Sequence, residues 1–224
     1  MLIEEARWLE GVLKDIGPGK DWTVLDIGSS TEYFRRVDQP YIDYFVFRPL
    51  RKLGAKVLHV DSREGEGIDV RYDISDPASP DVEGKIPRGR IVLCCNLLEH
   101  VRDRQMVVRR LHALTEPGGY LVVTVPHVYR YHEDPIDTMY RPDNAELEGL
   151  FSGLDFETVR STVLDVECGY VTFPQALPAY ILYRLRSFVK YRILKHKFEP
   201  ERCKVAAVVL RKRGTLQTDA SLPA

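Results

Sequence analysis

The feature that most constrains this chain is a succession of short apolar runs separated by helical or turn-rich stretches. The runs lie at residues 22–28 (WTVLDIG), 56–61 (KVLHVD), 90–95 (RIVLCC) and 120–126 (YLVVTVP). Runs of this length, bounded by turn residues, read as buried strands. Strands that alternate with helices imply a mostly parallel sheet covered on both faces. From Ile91 to Cys95 the fourth strand is apolar throughout, as fits a central strand buried on both sides.

The intervening segments agree. Ile3, Ala6, Trp8, Leu9, Val12 and Leu13 recur at helical spacing, and Gly17-Pro18-Gly19 stops that helix. Residues 32–53 read as helical pieces broken at Pro40 and Pro49, 67–73 as a short third strand, and 74–89 as loop. A helix is expected over 103–114. Asp143 is placed to cap another over 144–150, with Glu146 completing a capping box. Residues 156–159 with 163–166 supply a sixth strand and 204–210 a seventh. The polar tail after Gly214 is expected to be disordered. The prediction is one α/β domain over about residues 1–215, a doubly wound αβα sandwich.

Composition narrows the function classes. With 224 residues and a formal net charge of −1, bulk charge gives no reason to expect nucleic acid as a partner. The four cysteines, Cys94, Cys95, Cys168 and Cys203, lack zinc-site spacing and are expected to be reduced core thiols. No metal is implied. The acidic, amphipathic N-terminus is unlike a signal peptide, and no stretch has the roughly 20 apolar residues of a membrane span. The expected location is the cytoplasm.

In open α/β sheets, ligands bind beyond the carboxyl ends of the strands. Here those ends read Asp26-Ile27-Gly28-Ser29-Ser30, then Asp61, then Asp73-Ile74, then Asn96-Leu97-Leu98-Glu99-His100. This series resembles the class I S-adenosylmethionine (SAM)-dependent methyltransferases. VLDIGSS, LHVD, YDI, CNLLEHV and EPGGYLVVTVP look like that family's successive motifs, and the resemblance covers most of the chain. It implies a seven-stranded, mostly parallel sheet with an antiparallel last strand, and SAM as the cofactor. It also implies roles for the strand ends. Gly28 would allow close backbone approach, with Ser30 in the same loop. Asp26 would lie near the cofactor's ammonium, and Asp61 would hold the ribose hydroxyls. Asp73 and Ile74 would hold adenine, and Asn96 would close the pocket with backbone and side-chain contacts. The sequence departs from the family's glycine pattern at Ser30 and Glu32, which predicts a looser loop and modest affinity.

Two alternatives stand beside this reading. An NAD(P)-binding oxidoreductase normally needs GxGxxG, because pyrophosphate sits on backbone N–H groups at a helix N-terminus. This loop has one glycine and an acid at Glu32, where phosphate would bind. A SAM-binding scaffold without activity is the other alternative.

The loop after the fifth strand carries His132, Asp134, Asp137 and Arg141-Pro142. This pattern resembles a segment of bacterial methyltransferases that modify saccharides and secondary metabolites. His132, with Asp134 and Asp137 in reserve, is the candidate base for an acceptor hydroxyl. The competing reading pairs Asp137 with Arg141 and makes Asp134 a turn cap. His100 is open to either a structural or a substrate-contacting role. The acceptor implied is a small molecule or saccharide, methylated at oxygen. Residues 173–198 are expected to form a helical insertion with six positive charges, from Arg184 to Lys197. That insertion could be a solvated or dimer-forming helix, a membrane-surface contact, or a lid over an anionic acceptor.

Overall fold

The computed structural model describes residues 1–82, 84–132, 136–168 and 201–214. Its centre is a seven-stranded sheet in the order β3-β2-β1-β4-β5-β7-β6. The strands are β1 (Thr23–Ile27), β2 (Lys56–Asp61), β3 (Val70–Arg71), β4 (Gly89–Cys95), β5 (Thr115–Val128), β6 (Phe156–Cys168) and β7 (Glu201–Lys212). β1 to β5 pair in parallel, whereas β7 runs antiparallel to both β5 and β6. The expected topology is the observed one.

Alternation along the strands sends side chains into two separate cores. Val24, Ile91, Leu93, Val122 and Val209 meet α1 (Ile3–Ile16) and the helical stretch over 34–52 on one face. That stretch contains α2 (Pro40–Ile42) and α3 (Arg48–Lys52), each with a proline in its first turn, where a missing N–H costs nothing. Leu25, Ile27, Val92, Cys94, Leu121 and Val123 meet α4 (Arg104–Leu114) and α5 (Asn144–Gly149) on the other face. Asp103 caps α4 by accepting the Met106 N–H at 2.9 Å. Asp143 and Glu146 form the expected capping box on α5.

Some details differ from expectation. β3 is only two residues long. β5 begins at Thr115 rather than at Tyr120, with Pro117-Gly118-Gly119 taken into a register shift against β4. β6 is one 13-residue strand, not two pieces, with a register shift between Thr158 and Arg160. The expectation of four reduced thiols fails at Cys203, which is disulfide-bonded; Cys94 and Cys95 are free. No helix among the described residues is long and apolar enough to cross a membrane. The anticipated insertion at 173–198, the tail from 216, and Asp134 lie outside the described residues.

Candidate active site

The parallel strands end together on one edge, and that edge holds the predicted residues. β1 turns at Gly28, whose φ of 77° favours glycine. A Cβ there would stand 3.1 Å from Leu97 Cδ1, so the β1 turn and the turn after β4 are in contact. The Gly28 and Ser29 N–H groups donate to the Val60 carbonyl, at 2.9 and 3.2 Å. Ser30, also at positive φ, donates its N–H to Asp61 Oδ2 at 2.7 Å, and Arg63 N–H donates to Asp61 Oδ1 at 2.9 Å. Each Asp61 oxygen therefore carries one backbone donor, and a carboxylate oxygen has capacity for a second. That geometry orients the carboxylate and still permits a pair of ribose hydroxyls.

Arg35 does the work that the missing glycines would otherwise do. Its buried guanidinium donates to the carbonyls of Ser29 (2.9 Å), Ser30 (2.5 Å) and Gly67 (2.6 Å). Burial lowers its pKa, and Asp26 and Glu32 lead the acids that oppose the fall. Glu32, at the third glycine position, donates its N–H to the Glu66 carbonyl and pairs through its side chain with Arg36. The loop predicted to be loose is instead held at two of its carbonyls, and the bond to Gly67 ties it to the segment before β3.

Asp26 is engaged differently from expectation. Its Oδ2 lies 2.8 Å from Nδ1 of buried His59, its register partner on β2. Asp73 Oδ1 accepts from the N–H and hydroxyl of Ser75 at 2.8 and 2.7 Å. The Ile74 side chain is buried in the core, and its carbonyl accepts from Arg110. Asn96 also sits at positive φ, 51°, with its N–H on the Thr124 carbonyl. Its side-chain amide is committed to Glu5, 2.9 and 3.1 Å from the two carboxylate oxygens. Glu5, fully buried on α1, also accepts from Thr124 Oγ1 and the Leu2 N–H. Asn96 thus contributes backbone and shape at this edge, while its Nδ2 serves the fold.

Sequence reasoning missed Arg35, His59 and Glu5. Two of them left a signal. His59 and Asp26 lie two and one positions before the ends of neighbouring parallel strands. Glu5 falls at i, i+4 and i+7 with Leu9 and Val12, on the buried face of α1. Arg35, inside an Arg-Arg pair, reads as a solvated side chain.

Beyond β4 and β5 the arrangement changes. A 3₁₀ turn, Leu98–His100, follows β4. The Glu99 carbonyl anchors the later loop by accepting from the Thr138 N–H (2.9 Å) and hydroxyl (2.8 Å). The Glu99 side chain is fully buried, and neither carboxyl oxygen has a hydrogen-bond partner. Burial, with Glu5 adding repulsion, raises its pKa to about 8. His100 Nδ1 lies 2.5 Å from the Ile136 carbonyl and so carries a proton, which directs Nε2 toward Glu99 Oε1 at 3.7 Å.

His132 stands edge-on to both His100 and Tyr129, with ring centroids 5.0 and 5.2 Å apart. Its Nδ1 is buried without a hydrogen-bond partner; the nearest anion is Asp137 Oδ2 at 3.3 Å. Burial and the neighbouring His100 lower its pKa, against the pull of Asp137, so the ring is neutral near pH 7. Asp137 itself is enclosed. Burial would raise its pKa, but Arg141 and the N–H groups of His132 and Met139 outweigh it and hold the carboxyl well below the usual range. A carboxylate so committed is a poor base, and it fixes the backbone at His132.

Two surface hollows, of about 730 and 570 Å³, open elsewhere, against residues 148–158 and 82–88 near the strands' amino ends. Neither contains the predicted site residues.

A family model described as a methyltransferase domain matches residues 6–160, more than half of the chain. No curated protein gives a significant match. Solved structures with similar folds include coclaurine N-methyltransferase bound to N-methylheliamine and S-adenosylhomocysteine (SAH). It has a TM-score of 0.56 at 13% identity, covering 93% of this chain and 71% of that one. A provisionally named sarcosine dimethylglycine methyltransferase from Galdieria sulphuraria has a TM-score of 0.55 at 13% identity, covering 94% and 86%. The [4+2]-cyclase SpnF has a TM-score of 0.51 at 15% identity, covering 93% and 81%. At these identities the likeness is one of fold.

Proposed function

Because this chain belongs to the methyltransferase-domain family, we propose that it transfers a methyl group from SAM to an oxygen of a small-molecule or saccharide acceptor. The observation that carries the reading is the junction of two half-sites on one edge. Gly28 of the cofactor loop touches Leu97, and the turn that Leu97 begins carries Glu99 and His100 toward His132.

The cofactor half would hold SAM at Asp61, Asp73 and the backbone of Gly28, Ser30, Ile74 and Asn96, with Asp26 acting through His59. In the transfer, the C–S bond of the sulfonium breaks as the O–C bond forms, and the hydroxyl proton leaves. A neutral His132 can accept that proton. An amine acceptor would need no such base once deprotonated, which is why oxygen is preferred. Proximity and alignment supply much of the acceleration in either case.

The test is calorimetry with SAM, followed by an acceptor screen that includes hydroxylated sugars. SAM binding with no turnover on any acceptor would favour the alternative of a scaffold without methyl transfer. SpnF, described as a cyclase on a similar fold, keeps that alternative in view.

A further inference from the structure

Three side chains that are apart in sequence meet at the acceptor edge. Glu99 and His100 come from the turn after β4, and His132 from the loop after β5. One ligand-capable atom from each lies within 4.8 Å of the other two. Read linearly, the sequence offered no such set; the crossing of two loops creates it.

The polar groups in this cluster have hydrogen bonds left unmade. Both Glu99 carboxyl oxygens are buried and unpartnered, as is His132 Nδ1. Buried polar atoms are almost always satisfied, and exceptions call for an ion, a water or a functional role. Buried carboxylates in particular are paired or coordinate metals. Around the cluster, the usual supports of metal ligands are in place. His100 donates Nδ1–H to the Ile136 carbonyl, which fixes the tautomer and turns the Nε2 lone pair toward Glu99. Asp137, locked to Arg141, accepts the His132 backbone N–H at 3.0 Å and holds that residue in place. The Glu99 carbonyl accepts two bonds from Thr138, tying the two ligand-bearing loops together.

We propose that Glu99, His100 and His132 form a binding site for one divalent first-row transition cation, such as Zn²⁺ or Co²⁺. Two imidazoles and a carboxylate suit these metals, whereas Mg²⁺ and Ca²⁺ prefer all-oxygen sets. Bonds of about 2.0–2.2 Å would require the ligand atoms to close to about 3.4 Å. Three protein ligands leave a coordination position open, as in catalytic sites, and His132 is the most exposed of the three. On the methyl-transfer reading, on which this clause rests, the open position takes the acceptor oxygen. With the cation bound, His132 is a ligand in place of the base it supplies when the site is empty; the cation lowers the proton affinity of the hydroxyl, and its proton passes to solvent water as the methyl arrives.

The experiment uses tag-free protein, dialysed against chelator and titrated separately with Co²⁺, Zn²⁺ and Mg²⁺ by calorimetry. Visible absorption of the Co²⁺ complex reports imidazole ligation. One equivalent should bind, and Glu99→Gln, His100→Ala and His132→Ala should each weaken it at least tenfold. Each variant is first shown to bind SAM, which controls for folding. The proposal is overturned if SAM-competent wild type takes up neither metal saturably, if Glu99→Gln and His132→Ala bind as tightly as wild type, or if only Mg²⁺ binds. Because SAM and metal are titrated separately, loss of the cation site leaves the methyltransferase reading standing. Loss of SAM binding would sink that reading without touching the cation site.

Discussion

The two halves of the carboxyl edge are built on opposite principles. Along β1 to β3, the groups proposed to meet the methyl donor already have protein partners. Asp61 carries two backbone donors, Asp26 has His59, and Arg35 holds three loop carbonyls. Beyond β4 and β5, the Glu99 carboxyl oxygens and His132 Nδ1 are buried with bonds unmade. The difference matches the ligands expected. A cofactor that never changes is best met by a pre-organised surface, whereas a site that completes itself with a proton, a cation or an acceptor must keep valences open.

The largest effect should fall on the open half. His132→Ala is expected to lower turnover on the true acceptor by about 10²–10⁴-fold, the usual cost of losing a positioned base, with the SAM dissociation constant unchanged within about twofold. Steady-state kinetics beside a SAM titration check it. Full turnover in the variant would make His132 structural.

Next comes the staple of the closed half. Arg35→Met removes a buried guanidinium and strands the carbonyls of Ser29, Ser30 and Gly67. Urea unfolding should show a loss of about 2–4 kcal/mol, together with weaker SAM binding. A variant of unchanged stability would mean that the loop holds itself without Arg35.

Asp61→Ala should cost at least tenfold in SAM affinity, since charge-assisted hydrogen bonds to the ribose are worth on the order of 1.5–3 kcal/mol each at most. The fold should survive, as judged by circular dichroism. Unchanged affinity would place the ribose elsewhere.

The smallest effect is one of pH, in protein stripped of divalent cations. The folded-state pKa of Glu99, raised to about 8, exceeds its ordinary value. Its contribution is therefore fully present below about pH 4.5 and lost as pH rises toward 8. The charged or titratable groups around it include Glu5, the N-terminal amine, Arg141, His100 and His132. Glu99→Gln cannot ionise, so its stability relative to wild type should grow by at least about 1 kcal/mol between pH 5 and pH 8. A difference that stays flat across that range would show Glu99 ionised throughout.

Much of this was legible from residue patterns alone. The apolar runs around Leu25, Leu58, Leu93 and Val122 mark β1, β2, β4 and β5, because a strand buried on both faces admits few polar side chains, and those only where they are paired, as Asp26 is with His59. β6 was harder to read. It lies at the sheet edge with most of its side chains exposed, so Arg160, Ser161 and Thr162 read as a break, although pairing with β7 runs through them. Within the site, strand-end acids are visible because topology fixes where they point. Arg35 was hidden because its partners are backbone carbonyls, which carry no sequence signature. The Glu99–His100–His132 cluster was hidden because it exists only where two loops cross.

The central claim is that the β1–β3 edge is a SAM site, and a side-by-side calorimetric titration of wild-type protein with SAH and with NAD tests it most directly. The account predicts saturable 1:1 binding of SAH and no binding of NAD, since Glu32 and its ion pair with Arg36 occupy the place a pyrophosphate would need. Saturable NAD binding with none for SAH would contradict it.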